Sequence, residues 1–393
     1  MAPGRCFFVR AEDTSSVKAD DKWWSSPESF EIGSLLRDAH EDQAGTRDFK
    51  AACADCYQTL LKTCTEALST PEFQVAPFDW TPDVRLEIFG STRQGTALMC
   101  SDLDVRMSFE QFSVHGQERQ LKYLRGVAAA PGPRFEVLQT IVARLPLLRL
   151  RFDGWLEVDL TMGDSAVEGP WIDKSVIRLL AASVDAGATQ FVQLVKAFSK
   201  THKLVDAYNG FLNSTSWTCL AMTFLQEEGC LPPLKLVEDC SKAALWPVRL
   251  TIGLISRFFA FMERSGHKPH RVSLQHGDVR STRHRNRDGG AAHPLFVQHP
   301  EKDGVNLASA LSFEGWRQTV EKCTWARQHL VPSQGSTDLR KAVQDVFGIR
   351  SASISVPACV DGVPVEATEP PRKRLCREEA EHVPDCATGS PTS

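Results

Sequence analysis

The chain has 393 residues, 42% of them hydrophobic, and a formal net charge of −4. The length favours more than one globular domain, and the hydrophobic fraction supports ordinary buried cores. The charge balance excludes a globally basic polyanion binder, so a nucleotide or nucleic-acid site has to be a local cluster. No apolar run reaches the length of a bilayer span, so no membrane association is expected.

The opening stretch, MAPGRCFFVRAEDTSS, lacks a continuous apolar core and reads poorly as a secretory signal. The 12 cysteines follow no disulfide rhythm and read as reduced thiols of an intracellular protein. Cys53 and Cys56 form a CxxC with no second CxxC or CxxH; on a helix the spacing reads as two neighbours on one face, with a zinc site as the lesser alternative.

In chain order, residues 1–45 read as a flexible lead-in anchored only by Trp23 and Trp24. A helix is expected from Arg47 to Leu68, with Phe49, Ala52, Cys56, Leu60 and Cys64 near helical period, in a segment (46–80) expected to pack with a helical domain. VRLEIFG is a strand stopped by Gly90, and DLDVRMSF is its partner. Helical patterns follow to about Ala143. LPLLRLRF and WLEVDLT are two more strands. Helices are then expected at about 173–184, 187–206, 214–228, 250–264 and 313–329. The Arg-, His- and Gly-rich stretch 272–293 reads as an exposed loop. The Pro-, Ser- and Glu-rich composition from about 349 to 393 reads as a disordered tail. The fold class is α+β: a small mixed-sheet catalytic domain over 81–175, followed by a mainly helical domain over 176–348.

The acids carry the first chemical signal. Side chains alternate along a strand, so Asp102 and Asp104 point the same way, where two like charges repel unless a cation separates them. A lone DxD is usually a solvated strand edge. Here WLEVDLT adds Asp159 between Val158 and Leu160, an arrangement costly to bury unless the acid is paired or binds metal. Glu157 shares that face by period two, or caps the strand edge. Three carboxylates on adjacent strands make a hard-oxygen site for two Mg²⁺ or Mn²⁺ ions, which suits in-line phosphoryl transfer. The Gly90-Ser91 turn offers backbone N–H groups and a hydroxyl to phosphate oxygens.

FGSTRQGTALMCSDLDV followed by LEVDLT resembles the nucleotidyltransferase signature of the polymerase-β superfamily. It is most similar to the branch that extends RNA 3′ ends: cytoplasmic and surveillance-type poly(A) polymerases and terminal uridylyltransferases. The resemblance implies that Asp102 and Asp104 bind both metals, that Asp159 holds the metal activating the RNA 3′-hydroxyl, and that Ser91 holds the outgoing phosphates. Phe191–Gln226 is similar to the family's central domain. Lys196 and Lys200 lie i, i+4 on one helical face, either as a solvated stripe or as a phosphate clamp. Ser214 opens the next helix as a plain N-cap, an anion contact, or both. The segment LFVQHPEKDGVNLASALSFEGWRQTVEKCTWARQHL resembles the poly(A)-polymerase-associated motif, with Pro300 and Asn306 in place.

Several positions depart from the pattern. Thr215 stands where relatives carry a base-stacking aromatic, and Trp217 is about 200° away round a helix. Val305 stands where the uridylyltransferases carry a His before Asn306, which tilts the expectation slightly from UTP toward ATP. The ribose-contacting Asn has no clear match, with Asp173, Lys174 and Ser175 falling near it. Arg280, Arg283, Arg285 and Arg287 either track RNA phosphates or are simply solvated. Arg372, Lys373 and Arg374 are a weak import signal, leaving cytoplasm and nucleus both open.

The expected activity is therefore template-independent addition of ribonucleotides from NTP to an RNA 3′ end, with protein partners for RNA targeting. The alternatives are a strict terminal uridylyltransferase, a 2′-5′ oligoadenylate synthetase-like enzyme, and an inactive RNA-binding scaffold.

Overall fold

A computed structural model describes residues 35–37, 40, 47–73, 81–99, 101–143, 145–163, 171–183, 186–239, 248–266, 270–281, 293–330 and 339–348. Trp23, Trp24, Arg283, Arg285, Arg287, the basic run at Arg372 and the tail expected from 349 lie outside these residues, as does nearly all of the lead-in.

Helix α1 spans Arg47–Leu68. Its Phe49, Cys53, Cys56, Leu60, Cys64 and Leu68 recur every three or four residues and are all buried. Strand β1, Val84–Ile88, is followed by a short helix α2, Gly90–Gln94, and by β2, Leu103–Phe109. Helix α3, Gln117–Ala129, leads into β3, Phe135–Ile141; β4, Leu147–Phe152; and β5, Leu156–Met162. The helical pattern expected to run on to Ala143 stops at Ala129. Beyond it Phe135, Val137 and Leu150 join β3 and β4 in an antiparallel ladder, so sheet pairing overrides the local signal.

The five strands form one mixed sheet in the order β1-β2-β5-β4-β3. Only β2 and β5 run parallel. Alternation sorts its faces. Leu103, Val105, Met107, Val158, Leu160, Leu148 and Leu150 turn inward and are fully buried. Asp104, Asp159 and Arg149 occupy the intervening positions. The inward face packs with the apolar stripe of α1 in a single core. Helix α1 therefore belongs to the sheet half, contrary to the expected packing with the helical domain; its stripe matches the apolar sheet face that would otherwise be left in water.

The second half is built from α4, Trp171–Ala181; α5, Gly187–Thr201; α6, Ser214–Glu227; α7, Leu234–Asp239; α8, Ile252–Gly266; α9, Phe313–Leu330; and α10, Leu339–Phe347. Helix α6 is buried from Ser216 through Gln226, and α5 nearly throughout. Phe191, Phe224 and Phe258 meet with ring centroids 5.5–5.7 Å apart. Each such buried ring contributes about 1.5–3 kcal/mol of apolar burial. A small sheet ordered β7-β6-β8 packs beside them, from β6, His270–Ser273; β7, Asp278–Ser281; and β8, Leu295–Val297. The hairpin β6–β7 occupies the start of the stretch read as a loop, because Val272 pairs with both Val279 and Val297. The described residues up to 348 belong to one compact unit, and no described helix is long and apolar enough to cross a membrane.

Candidate active site

A cavity of about 500 Å³ opens where the polar face of the large sheet meets α4, α5 and α6. Asp102 and Asp104 lie on its wall. Asp104 is opposite Asp159 in the parallel register of β2 and β5, so the two carboxylates project from the same face. Burial pushes the Asp104 carboxyl up to about 7, with the charges of Asp159 and Asp102 adding to the effect. Burial also raises Asp102, opposed by Lys200 and reinforced by Asp159.

Asp159 is held differently from the other two. Arg149, directly across β4, grips it in a two-pronged pair, Nε to Oδ1 at 2.8 Å and Nη2 to Oδ2 at 2.8 Å. Asp159 does not line the cavity, and no group of three metal-binding side chains occurs among the described residues. Asp104 and Asp159 thus share one sheet face, with Asp102 just ahead of β2, and Asp159 already has a cation, the Arg149 guanidinium. Asp102 and Asp104 fit a divalent ion on the chemistry of the donor set: two carboxylates, half-buried and mutually repelling, whose side-chain oxygens accept no hydrogen bond among the described residues. Glu157 pairs with Arg151 at 3.7 Å and is half-buried near the start of the central strand β5, outside the cavity lining.

Gly90 and Ser91 line the cavity where β1 gives way to α2. Gly90 has φ +67°, which favours glycine, and a Cβ there would collide with Asp104 Oδ2. Close approach to the acid is thus a second reason for glycine, beside the expected approach to phosphates. The Gly90 amide is not left for a ligand: it donates to Asp173 Oδ2 at 2.8 Å.

Lys196 and Lys200 both line the cavity from α5. Lys196 is only 2% exposed, and its Nζ donates to Thr96 O at 3.0 Å. Gln193 on the same helix donates to Ala97 O at 3.1 Å. Helix α5 therefore pins the loop between the glycine turn and the DxD pair, so a solvated stripe is excluded for Lys196. Lys200 is half-buried and acts on Asp102.

Ser214 and Thr215 line the cavity as well. The cap of α6 is Asn213, whose Oδ1 accepts from Ser216 N at 2.7 Å, so Ser214 is not the N-cap. Trp217 is fully buried and donates to Leu204 O at 3.1 Å, which removes it as a base-stacking substitute. Asn306 lies away from the cavity wall. Its Oδ1 accepts from Val297 N and Ala308 N, each at 2.9 Å, and its Nδ2 donates to Leu295 O at 3.3 Å. Those bonds make it a bracket for β8, because one amide can satisfy three backbone groups of a tight connection.

Two of the wall residues to which sequence reasoning gave no role have specific partners. His299 is buried, and its Nδ1 accepts the Glu301 and Lys302 amides, both at 3.1 Å. That fixes the proton on Nε2, and burial lowers its pKa. Its position next to Pro300 in the third motif was the available signal. Asp173 is 4% exposed and was noted only as a neighbour of an absent Asn.

Residues 53–167 match the family model described as the central palm domain of mitochondrial-like poly(A) RNA polymerase. Terminal uridylyltransferase 7 of Homo sapiens is 26% identical over 217 residues, covering 53% of this chain and 14% of that protein. Poly(A) RNA polymerase CID14 of Cryptococcus neoformans is 27% identical over 147 residues, covering 37% and 19%. The matched region thus spans less than a fifth of either curated relative. Among solved structures, mtPAP in complex with UTP superposes with TM-score 0.62 at 14% identity, covering 81% of this chain and 72% of that one. The Cid1 poly(U) polymerase with Mg and 3′-dATP gives 0.60 at 17%, covering 80% and 98%. At such identities these structures establish the shared fold.

Proposed function

We propose, from the premise that this chain is a terminal nucleotidyltransferase of the polymerase-β type, that it adds ribonucleotides to RNA 3′ ends without a template. The observation carrying this reading is the meeting, in one cavity, of a repelling aspartate pair with Ser91, Lys200 and Ser214. The RNA 3′-hydroxyl loses its proton to solvent, and its oxygen forms a bond to the α-phosphorus of a nucleoside triphosphate. The bond to the β-phosphate oxygen breaks, and pyrophosphate departs. When bound, two Mg²⁺ or Mn²⁺ ions would acidify the attacking hydroxyl and neutralise the leaving charge. Asp102 and Asp104 would hold them, with Asp159 contributing once its pairing with Arg149 is shared. Ser91, Lys200 and Ser214 orient the phosphates, so the protein's part is positioning and charge complementarity.

ATP is favoured slightly over UTP, because Val305 replaces the His that the resemblance associates with uracil. UTP is the second reading, favoured by relatives named as uridylyltransferases. Purified protein with Mg²⁺, labelled RNA and each NTP in turn tests both. Extension is expected with ATP at least as well as with UTP, and the absence of extension with all four would overturn the proposal. Nuclease digestion of the product distinguishes 3′-5′ from 2′-5′ linkage.

A further inference from the structure

We propose that Asp173 is a positioning residue: a buried carboxylate on α4 that latches α2, and through Gly90 the Asp104 carboxylate, in place. This rests on reading the cavity as a nucleotide site, and the test below separates the two.

An acid is an unexpected residue in the wall of a cavity meant for a triphosphate. Asp173 is 4% exposed, so its charge is costly unless hydrogen-bonded. Both its oxygens are engaged: Oδ2 by the Gly90 amide at 2.8 Å and Oδ1 by Gln94 Nε2 at 2.6 Å. Those donors are the first and last residues of α2, so one side chain holds both ends of that helix. Helix α2 is closed at its C-terminus by Gly95 in the left-handed conformation, but its N-terminus has no side-chain cap of its own. Its N-cap position is Phe89, and no side-chain cap hydrogen bond is made there. Asp173 supplies the missing acceptor from another element, on the side where a negative charge suits a helix N-terminus. Arg93 and Arg106 add favourable charge, while Asp104 is an unfavourable neighbour.

The grip is transmitted onward. Gly90 is packed so closely against Asp104 that no Cβ fits between them. The Phe89 amide donates to Asp104 O at 3.0 Å. Asp173, Gly90 and Asp104 thus form a continuous line from the helical half to the acidic centre.

The test is hydrogen–deuterium exchange over residues 89–95 together with steady-state kinetics. Asp173→Ala removes the acceptor. It should speed exchange there about ten-fold and lower kcat about ten-fold, with KM for RNA unchanged. Asp173→Asn keeps an oxygen for the Gly90 amide and should restore most of both. Wild-type exchange in Asp173→Ala overturns the latch. So does an Asp173→Asn variant as impaired as Asp173→Ala, since the charge would then act directly on a ligand. If Asp173→Ala does not fold, Gln94→Ala takes its place: the latch predicts faster exchange in Gln94→Ala than in Asp173→Asn, and the reverse order overturns it. If the wild-type protein extends no RNA, the functional reading fails while the exchange comparison still decides the latch.

Discussion

Asp104 sits where burial and two neighbouring acids raise its pKa to about 7, against an ordinary 3.8. The metal-free native state therefore keeps a proton that the unfolded chain gives up near pH 4. Between about pH 4 and 7 rising pH erodes stability, and the loss is complete above 7. Asp104→Asn should melt higher than the wild type at pH 8, by on the order of 1–3 kcal/mol, and show no advantage near pH 4. Mg²⁺ should raise the wild-type melting temperature and leave Asp104→Asn unchanged; equal metal shifts would remove Asp104 from the metal site. Asp104→Ala should fold and extend no RNA. Gly90→Ala combines an unfavourable φ with a collision against the same carboxylate. It should cost about 1–3 kcal/mol and lose activity, as urea melts and extension assays will read.

At the scale of elements, β4 and β5 carry a design that a list of motifs does not reveal. Arg149 and Asp159 are register partners, with side chains 34% and 13% exposed. Removing the arginine leaves the acid beside Asp104 without its cation. Arg149→Gln should destabilise the fold by about 1–3 kcal/mol, below a fully buried pair because the arginine is partly hydrated, measured by chemical denaturation at pH 7. The elements that sequence reading found, α1, β1, β2, β4, β5, α4, α5, α6, α8 and α9, are those whose apolar period matches the face they bury. Those it misread, β3 and the hairpin β6–β7, are strands defined by their partners, with little signal of their own. Helix α10 went unnoticed between the last motif and the tail, although Val343, Val346 and Phe347 bury one face at helical spacing.

At the scale of the molecule there are two separate apolar cores, one between the large sheet and α1 and one among the helices of the second half. Cys53, Cys56, Cys64, Cys219 and Cys323 are buried in them, and Cys230 is half-buried. Burial pushes Cys53 up to about 11 and Cys56 to about 12, so neither is a reactive or metal-ready thiolate. Of these six, only Cys230 should react with iodoacetamide in the native state; peptide mass spectrometry reads the outcome. Phe258→Ala should cost about 3–5 kcal/mol and reduce extension, because α5 and α6 bear on the same aromatic cluster.

The sequence alone determined which residues can carry charge-neutralising chemistry. Acids two apart on a strand, a third acid between apolar residues, and a glycine-serine break are local statements, and local periodicity fixes the faces they occupy. Register, by contrast, arises only when strands pair, and it alone placed Arg149 against Asp159. Folding also brought Asp173 to Gly90 across 83 residues, delivered His299 to the cavity wall, and turned Asn306 inward to hold β8. A one-dimensional pattern states what a side chain can do; which partner it meets is set by long-range packing that no short window of sequence contains.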